Sequence, residues 1–166
     1  MNKQMIMKGL IAGLVLQILV LLLEYLGAVY PLWTGQEVTL KTIPVDPRSL
    51  FRGNYARLNY DISTIPVTAV PAESELRFNQ YVYVKLKPGD GGIHVYDGAS
   101  LTRPASGLFI RGRAQGDRNI KFGIEAFFAS KERALALEEK LRIGGLAKVM
   151  IAGNGKAALQ DVIPLP

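Results

Sequence analysis

The sequence predicts a mainly β protein, a small antiparallel barrel or sandwich with one α-helix, preceded by an N-terminal transmembrane helix. Within the first thirty-three residues, 9–33 are apolar apart from Gln17 and Glu24. Beyond them, short segments of alternating polar and apolar residues recur at close spacing between Gly- and Pro-containing turns, as in small all-β domains. With 166 residues, the chain has room for one modest domain beside an anchor. We therefore divide it into an anchor, 1–33, and a β-rich domain, 34–166.

The anchor is predicted to cross a membrane through residues 9–30. A helix over this stretch would be about 33 Å long at about 1.5 Å per residue, which spans a bilayer core of about 30 Å. Tyr25, Tyr30 and Trp33 would then form an aromatic belt at the membrane interface. We expect the lipid bilayer to be the partner of this segment, and Pro31 to end the helix.

A cleaved secretory signal and a buried helix of a soluble protein are the alternatives to an uncleaved anchor. Cleavage after residues 26–28, Leu-Gly-Ala, would place leucine where a small residue is needed, so the uncleaved anchor is favoured. Lys3 and Lys8 precede the apolar stretch, whereas Glu24 and Glu37 lie towards and beyond its other end. By the positive-inside rule the N-terminus is cytoplasmic, and the domain of this single-pass protein is extracytoplasmic.

The β domain is predicted to contain about eight strands. Their approximate ranges are 37–43, 55–62, 80–87, 93–96, 108–114, 119–128, 146–152 and 157–163. Turn sequences at 88–92 and 153–155 predict two hairpins. In the strand at 80–87, Val82, Val84 and Leu86 should face inward, and in that at 108–114 Phe109 should face outward. Ser130 suits the N-cap of a helix over 131–142.

The most distinctive segment is residues 44–62, P-V-D-P-R-S-L-F-R-G-N-Y-A-R-L-N-Y-D-I. Gly53 indicates a backbone turn with positive φ, and Asn54 also tolerates such a conformation. From Tyr55 onward polar and apolar residues alternate, which predicts a half-buried strand with Leu58 and Tyr60 on the same face.

The stretch G-N-Y-A-R-L-N-Y resembles the signature of the GDYXXLXY family. Gly53, Tyr55, Leu58 and Tyr60 match it, and Asn54 stands where the family usually has aspartate. A second family-like block follows as F-I-R-G-R at 109–113 and F-G-I-E-A-F-F at 122–128. The family's name describes a motif and not an activity. Its members look like membrane-anchored accessories of polytopic membrane proteins, and the resemblance implies that role here. An asparagine at this position agrees better with a turn cap than with a catalytic acid.

Arginines and tyrosines in or near these blocks are the candidate binding residues. They are Arg48, Arg52, Tyr55, Arg57, Tyr60, Arg111 and Arg113. Guanidinium groups suit carboxylates and phosphates, and tyrosines could stack on a sugar or a lipid headgroup. The alternative is structural: the arginines form a surface salt-bridge lattice that holds the loop, and the tyrosines belong to the core or to a sheet edge.

A second group is predicted to shape the motif itself. It consists of Asp46, Pro47, Gly53, Asn54, Leu58, Asp61 and Glu125. Asp46, Asp61 or Glu125 could instead pair as the acid and base of a hydrolase. Ser49 has no evident lysine base, as a serine–lysine peptidase would require.

The composition of the chain excludes several kinds of functional site. The chain has no cysteine and one histidine, which excludes disulfides, thiolate zinc sites and a cysteine nucleophile. His94 alone does not make a transition-metal site, and no nucleotide-binding loop occurs, so we expect no metal and no cofactor. The net charge of +6 suits nucleic acid or anionic lipid, and an external domain favours lipid.

These features predict a membrane-anchored envelope protein that acts as a non-enzymatic accessory or binding module for a membrane partner. A polytopic membrane protein fits that partner best, and Gln17 and Glu24 are candidates to contact it within the bilayer. The alternative is a membrane-tethered hydrolase with acidic residues in an arginine-lined cleft. Nucleic acid is not expected as a partner.

Overall fold

The computed structural model describes residues 3–44, 55–66, 76–116, 118–128, 141 and 144–165, with the side chains of 55 and 56 left out. The predicted helix over 131–142 and its cap Ser130 therefore lie outside the described residues, apart from Leu141, which is buried.

The chain begins with one long helix, α1, at Lys3–Thr34. Apolar side chains are exposed along its length, and Pro31 is its one buried residue. By length and composition this helix could cross a membrane. Exposed leucines, isoleucines and valines in such numbers are stable only where lipid or another protein covers them. The predicted N-terminal membrane helix is thus supported.

Pro31 does not end the helix, and that prediction is wrong. Proline lacks an N–H, so the carbonyl of Gly27, four residues earlier, loses its helical donor. The ammonium group of Lys156 donates a hydrogen bond to this carbonyl instead. The helix then continues to Thr34, and Gly35 N–H donates to the Pro31 carbonyl at 2.9 Å.

The strands that follow confirm the mainly β prediction. They are β1 Gln36–Ile43, β2 Tyr55–Arg57, β3 Asn59–Tyr60, β4 Tyr81–Pro88, β5 Ile93–Ser100, β6 Phe109–Ala114, β7 Ile120–Lys121, β8 Ala126–Phe128, β9 Gly145–Ile151 and β10 Ala157–Pro164. The main sheet has the order β10-β9-β1-β5-β4-β6-β7, with β3 paired to β1, while β2 and β8 pair separately. The antiparallel-rich sheet curls into a half-barrel.

Both predicted hairpins are present. β4 pairs with β5, and β9 pairs with β10, each antiparallel. β1 joins the two hairpins, because it pairs antiparallel with β9 and parallel with β5. The parallel pair was not predicted, since pairing between distant segments leaves no local pattern in a sequence.

The core is formed by alternate residues of the strands in the curled sheet. Val82, Val84 and Leu86 are buried there as predicted. Phe109 was predicted to face outward, but it is only 6% exposed. It lies on the outer face beside the backbone of Gly155, where an added Cβ would come within 2.7 Å of the ring. The turn between β9 and β10 covers this phenylalanine, which local alternation cannot reveal.

Two segments predicted as continuous strands are each broken in two. Residues 55–57 pair with β8, whereas residues 59–60 pair with β1, and a short 3-10 turn follows at Asp61–Ser63. Residues 120–121 and 126–128 likewise belong to different sheets, with Gly123 at φ 83° between them. Both breaks occur where the chain leaves one sheet and joins another.

Candidate functional site

The two family-like blocks meet in space. Strand β2, from the first block, pairs with β8, from the second, and Ala56 lies opposite Phe127. The contact continues beyond the strands, because Leu58 N–H donates to the carbonyl of Glu125 at 2.8 Å. Leu58 itself is buried in the core. The leucine of the motif therefore holds the blocks together through its backbone and fills the core with its side chain.

Tyr60, the last residue of the motif, makes a second link between the blocks. Its side chain is fully buried, and its hydroxyl donates to the carbonyl of Ile124 at 2.6 Å. Burial, and secondarily the charge of Glu125, raises the pKa of Tyr60 far above its ordinary value of 10.0. A ring in this position cannot stack on a ligand that arrives from solvent, so the predicted binding role of Tyr60 does not fit. The alternative of a core tyrosine describes its position.

Glu125 holds the turn between β7 and β8. Its Oε1 accepts the N–H of Phe122 at 2.5 Å, and its Oε2 accepts the N–H of Gly123 at 3.0 Å. Such charge-assisted bonds to backbone donors are among the stronger hydrogen bonds in proteins. Both carboxylate oxygens are thus engaged by the protein's own backbone.

A groove of about 620 Å³ lies beside this junction. We call it the junction groove. Its polar lining consists of Arg57, Asn59, Gln115, Asn119, Lys121 and Glu125. Leu58 and Ile120, both buried, also line it. Asn59 Oδ1 accepts the N–H of Tyr60 at 3.1 Å, and Gln115 Nε2 donates to the carbonyl of Ala114 at 3.4 Å. Asn59 Nδ2, Gln115 Oε1 and both polar atoms of Asn119 can still pair with the C=O and N–H groups of a peptide backbone. The flanking cations add affinity for acidic groups.

The structure separates the arginines that the sequence grouped together. Arg57 is exposed in the junction groove. Arg111 and Arg113 instead lie on the outer face of β6 over the ring of Tyr81, with guanidinium carbons 4.9 and 4.2 Å from its centre. Arg113 also donates to the Tyr81 hydroxyl at 2.6 Å and to the carbonyl of Asn79 at 3.2 Å.

Arg48, Arg52 and Asp46 of the predicted salt-bridge lattice lie outside the described residues. Among its described members, Arg57, Arg111, Arg113, Asp61 and Glu125, no ion pair forms, whereas elsewhere Lys87 pairs with Asp97 at 3.1 Å and Lys148 with Glu37 at 3.8 Å. Arg111 and Arg113 are held by an aromatic ring, a cation–π arrangement. Asp61 is exposed and does not line the junction groove.

Several predicted site residues cannot be placed. Asp46, Pro47, Arg48, Arg52, Gly53 and Asn54 lie outside the described residues, as does the side chain of Tyr55. The carboxamides Asn59, Gln115 and Asn119 were missed by the sequence reasoning. Each is an ordinary polar residue in or beside a strand or a turn, and only the pairing of distant strands, β3 with β1, β2 with β8 and β6 with β7, brings them to one groove.

Comparison with known proteins agrees with this geometry. A family model described as GDYXXLXY protein matches residues 17–162, which includes both blocks and most of the domain. No curated protein and no solved structure matches the chain. Since the match covers most of the sequence, the chain belongs to the GDYXXLXY family.

Proposed function

We propose that this protein is a membrane-anchored, non-enzymatic accessory whose β domain binds an extended peptide segment of a membrane protein in the junction groove. The observation that carries this proposal is the convergence of Asn59, Gln115 and Asn119 in one open groove. Each carboxamide has both a donor group and an acceptor group, and a peptide backbone presents N–H donors and C=O acceptors in alternation, so the two can pair along the groove. A lone polar substrate would not need so many groups of mixed character.

The charges that line the groove refine the partner. Arg57 and Lys121 stand against one carboxylate, Glu125, whose oxygens already accept backbone hydrogen bonds. A bound segment with an acidic side chain would therefore be favoured over a basic one. The anchor places the domain beside the membrane, so a loop of a polytopic membrane protein is the best-suited source of such a segment. Gln17 and Glu24 are candidates for further contact within the bilayer.

The orientation belongs to the same proposal. Lys3 and Lys8 flank the apolar stretch on its N-terminal side, which favours a cytoplasmic N-terminus and an extracytoplasmic domain. The partner loop is then an external loop of the envelope.

The hydrolase alternative is not favoured by any specific feature of the groove. A pair of carboxylates is needed for general acid–base hydrolysis of a glycosidic bond. Among the described residues that line the groove, Glu125 supplies the single carboxylate, and Asp61 lies elsewhere. Binding is therefore the function that the geometry supports best.

Site-specific photocrosslinking in native membranes tests the proposal. A photoreactive amino acid at Asn119, which is exposed, should capture one membrane protein of larger mass. The control carries the same photoreactive amino acid in place of Asp90, which is exposed in the turn between β4 and β5. Strand β4 runs from Tyr81, near the groove, to this turn, and at about 3.3 Å per residue its two ends lie about 23 Å apart. Position 90 is therefore remote from the groove.

The expected result is a single adduct from position 119, absent from position 90, that mass spectrometry identifies as a polytopic membrane protein. The double variant Gln115→Ala/Asn119→Ala should also lose co-purification with that protein in mild detergent. Equal adducts from both positions, or clean monomeric protein from native membranes, would contradict the proposal.

A further inference from the structure

A second, smaller pocket of about 220 Å³ lies next to the junction groove. We call it the basic pocket. Its charged lining consists of Arg111, Arg113, Lys121 and Lys156, and none of its described lining residues is acidic. Four cations around one cavity repel each other unless an anion lies among them. The pocket therefore has the electrostatic character of an anion site.

Strand register brings three of these cations to one face of the sheet. Arg113 lies opposite Tyr81 of β4 and opposite Lys121 of β7. Directly opposite residues in antiparallel strands project to the same side of the sheet. Arg111, two residues before Arg113, projects to that side as well. The Tyr81 ring beneath the two guanidinium groups, at 4.2 and 4.9 Å, restricts their motion.

The fourth cation comes from the turn between β9 and β10. Arg111 N–H donates to the carbonyl of Gly155 at 2.8 Å, which joins this turn to the free side of β6. The next residue, Lys156, lines the pocket and donates to the carbonyl of Gly27 in α1. The basic pocket is thus located at the base of the membrane helix.

The aromatic residues of α1 indicate where the pocket lies relative to the membrane surface. Tyr25 and Tyr30 flank Gly27 and are 61% and 45% exposed. Such tyrosines lie at the level of the lipid headgroups. Gly27 is about 4.5 Å along the helix from Tyr30, at about 1.5 Å per residue. Lys156 therefore reaches the headgroup layer, whichever side of the membrane holds the domain.

We propose that the basic pocket binds the phosphate group of an anionic lipid headgroup. Guanidinium forks bind phosphate oxygens in pairs, and lysine ammonium groups supply further charge. The site lies outside the junction groove except for Lys121 and Gly123, which border both, and the two proposals are tested by different measurements, so they can fail separately. Bound lipid would hold the β domain against the membrane at a defined angle to α1.

The test measures which lipids the full-length protein retains. The protein is reconstituted in liposomes of equal phosphatidylglycerol and phosphatidylcholine, extracted in a neutral mild detergent, and examined by native mass spectrometry. We expect the wild type to retain phosphatidylglycerol over phosphatidylcholine by about fivefold or more, a typical effect of a single well-placed cation. Arg111→Gln/Lys121→Gln, which leaves Arg113 and Lys156 in the pocket, should lower this ratio by about fivefold or more.

The matched control is Lys41→Gln/Lys87→Gln, which removes the same charge from exposed positions on β1 and β4. It should keep the wild-type lipid ratio. A second variant, Lys121→Gln alone, alters an exposed side chain and should lower the ratio even if the double variant folds poorly. Equal ratios in wild type, pocket variants and control would overturn the proposal.

A soluble phosphate is the other source of the same chemistry. Wild type in pure phosphatidylcholine liposomes is therefore also incubated with inorganic phosphate and examined for bound phosphate by mass. If phosphate binds to wild type and not to the pocket variant while no lipid preference appears, the lipid assignment is wrong. Lipid preference without phosphate adducts supports it.

Discussion

Tyr60 shows how a single motif residue can join two distant parts of the chain. Its ring fills the core, while its hydroxyl donates to the carbonyl of Ile124, 64 residues away in sequence. A buried carbonyl left without a donor costs about 1–3 kcal/mol. The tyrosine is thus required for its hydroxyl as well as its size, and phenylalanine is not an equivalent residue there.

We expect Tyr60→Phe to lower the free energy of unfolding by about 1–3 kcal/mol, since the Ile124 carbonyl loses its donor. In a chain of this size, the melting temperature should fall by about 2–12 °C. Thermal unfolding of the full-length protein in detergent, followed by circular dichroism, measures the change. Tyr83→Phe is the matched control, because Tyr83 is half-buried and packs edge-on against Phe109 at 5.8 Å. It should change stability by less than about 0.5 kcal/mol.

The same tyrosine predicts a loss of stability in alkali. Burial raises the pKa of Tyr60 in the folded state above the 10.0 of an exposed tyrosine. Above about pH 10 the unfolded chain releases this proton while the folded protein keeps it, so each further pH unit destabilises the fold by about 1.4 kcal/mol. Since the tyrosine of the unfolded chain is already half ionised at pH 10, the difference in unfolding free energy between wild type and Tyr60→Phe should shrink by about 1 kcal/mol from pH 10 to pH 11. A difference independent of pH would mean that the pKa is not raised.

At the scale of elements, the joint between α1 and the β domain depends on three residues. Pro31 deprives the Gly27 carbonyl of its helical donor, and Lys156 replaces that donor from the β9–β10 turn. Gly35 permits the close approach beyond the helix, because an added Cβ would come within 2.9 Å of the Ile151 nitrogen. A proline ordinarily weakens a helix, but here it leaves free the Gly27 carbonyl to which Lys156 of the domain donates a hydrogen bond.

This arrangement predicts coupling between Pro31 and Lys156. In the wild type, Lys156→Met should cost about 1–3 kcal/mol, because the Gly27 carbonyl loses its donor. In a Pro31→Ala background the helix supplies an N–H to that carbonyl, so the same change should cost at least about 1 kcal/mol less. Thermal unfolding in neutral detergent, with all four variants of the cycle, measures the difference.

Lys41→Met provides the control for this cycle, because Lys41 is exposed on β1 and undergoes the same chemical change. Its cost should be small and identical in both backgrounds. If Lys156→Met also costs the same in both, the lysine does not replace the missing helical donor.

At the scale of the whole molecule, the helix and the half-barrel meet beside the candidate sites. The sheet order places β9 and β10 at one end and β6 and β7 at the other. The bond from Arg111 N–H to the Gly155 carbonyl links these ends at one point. This link positions the basic pocket at the base of α1, with the junction groove beside it.

Membrane orientation is testable because the chain has no cysteine of its own. We expect Asp90→Cys to react with a membrane-impermeant maleimide in intact cells, since the domain is proposed to lie outside the cytoplasm. Gln4→Cys, at the start of α1, should react only after permeabilisation. The opposite pattern would reverse the orientation, and a mature protein without reactive Gln4→Cys after lysis would indicate that the segment is removed.

Much of the fold could be predicted from the sequence, because its signals are local. An apolar run long enough to span a bilayer identifies α1 without any contact. Period-two alternation identifies the hairpin strands and assigns Val82, Val84 and Leu86 to the core. Much less of the candidate site could be predicted. Arg57 and Glu125 line the junction groove, but the carboxamides beside them have no distinguishing pattern.

The sequence by itself determined the family, the membrane-capable helix and the β class, since a motif, an apolar composition and a period-two alternation are all properties of neighbouring residues. The tertiary structure alone decided which distant residues meet: Leu58 with Glu125, Tyr60 with Ile124, and Lys156 with Gly27. It also separated Arg57 from Arg111 and Arg113. The physical reason is that hydrogen bonding and burial depend on strand register and on how the sheet curls, and many registers are compatible with the same local pattern.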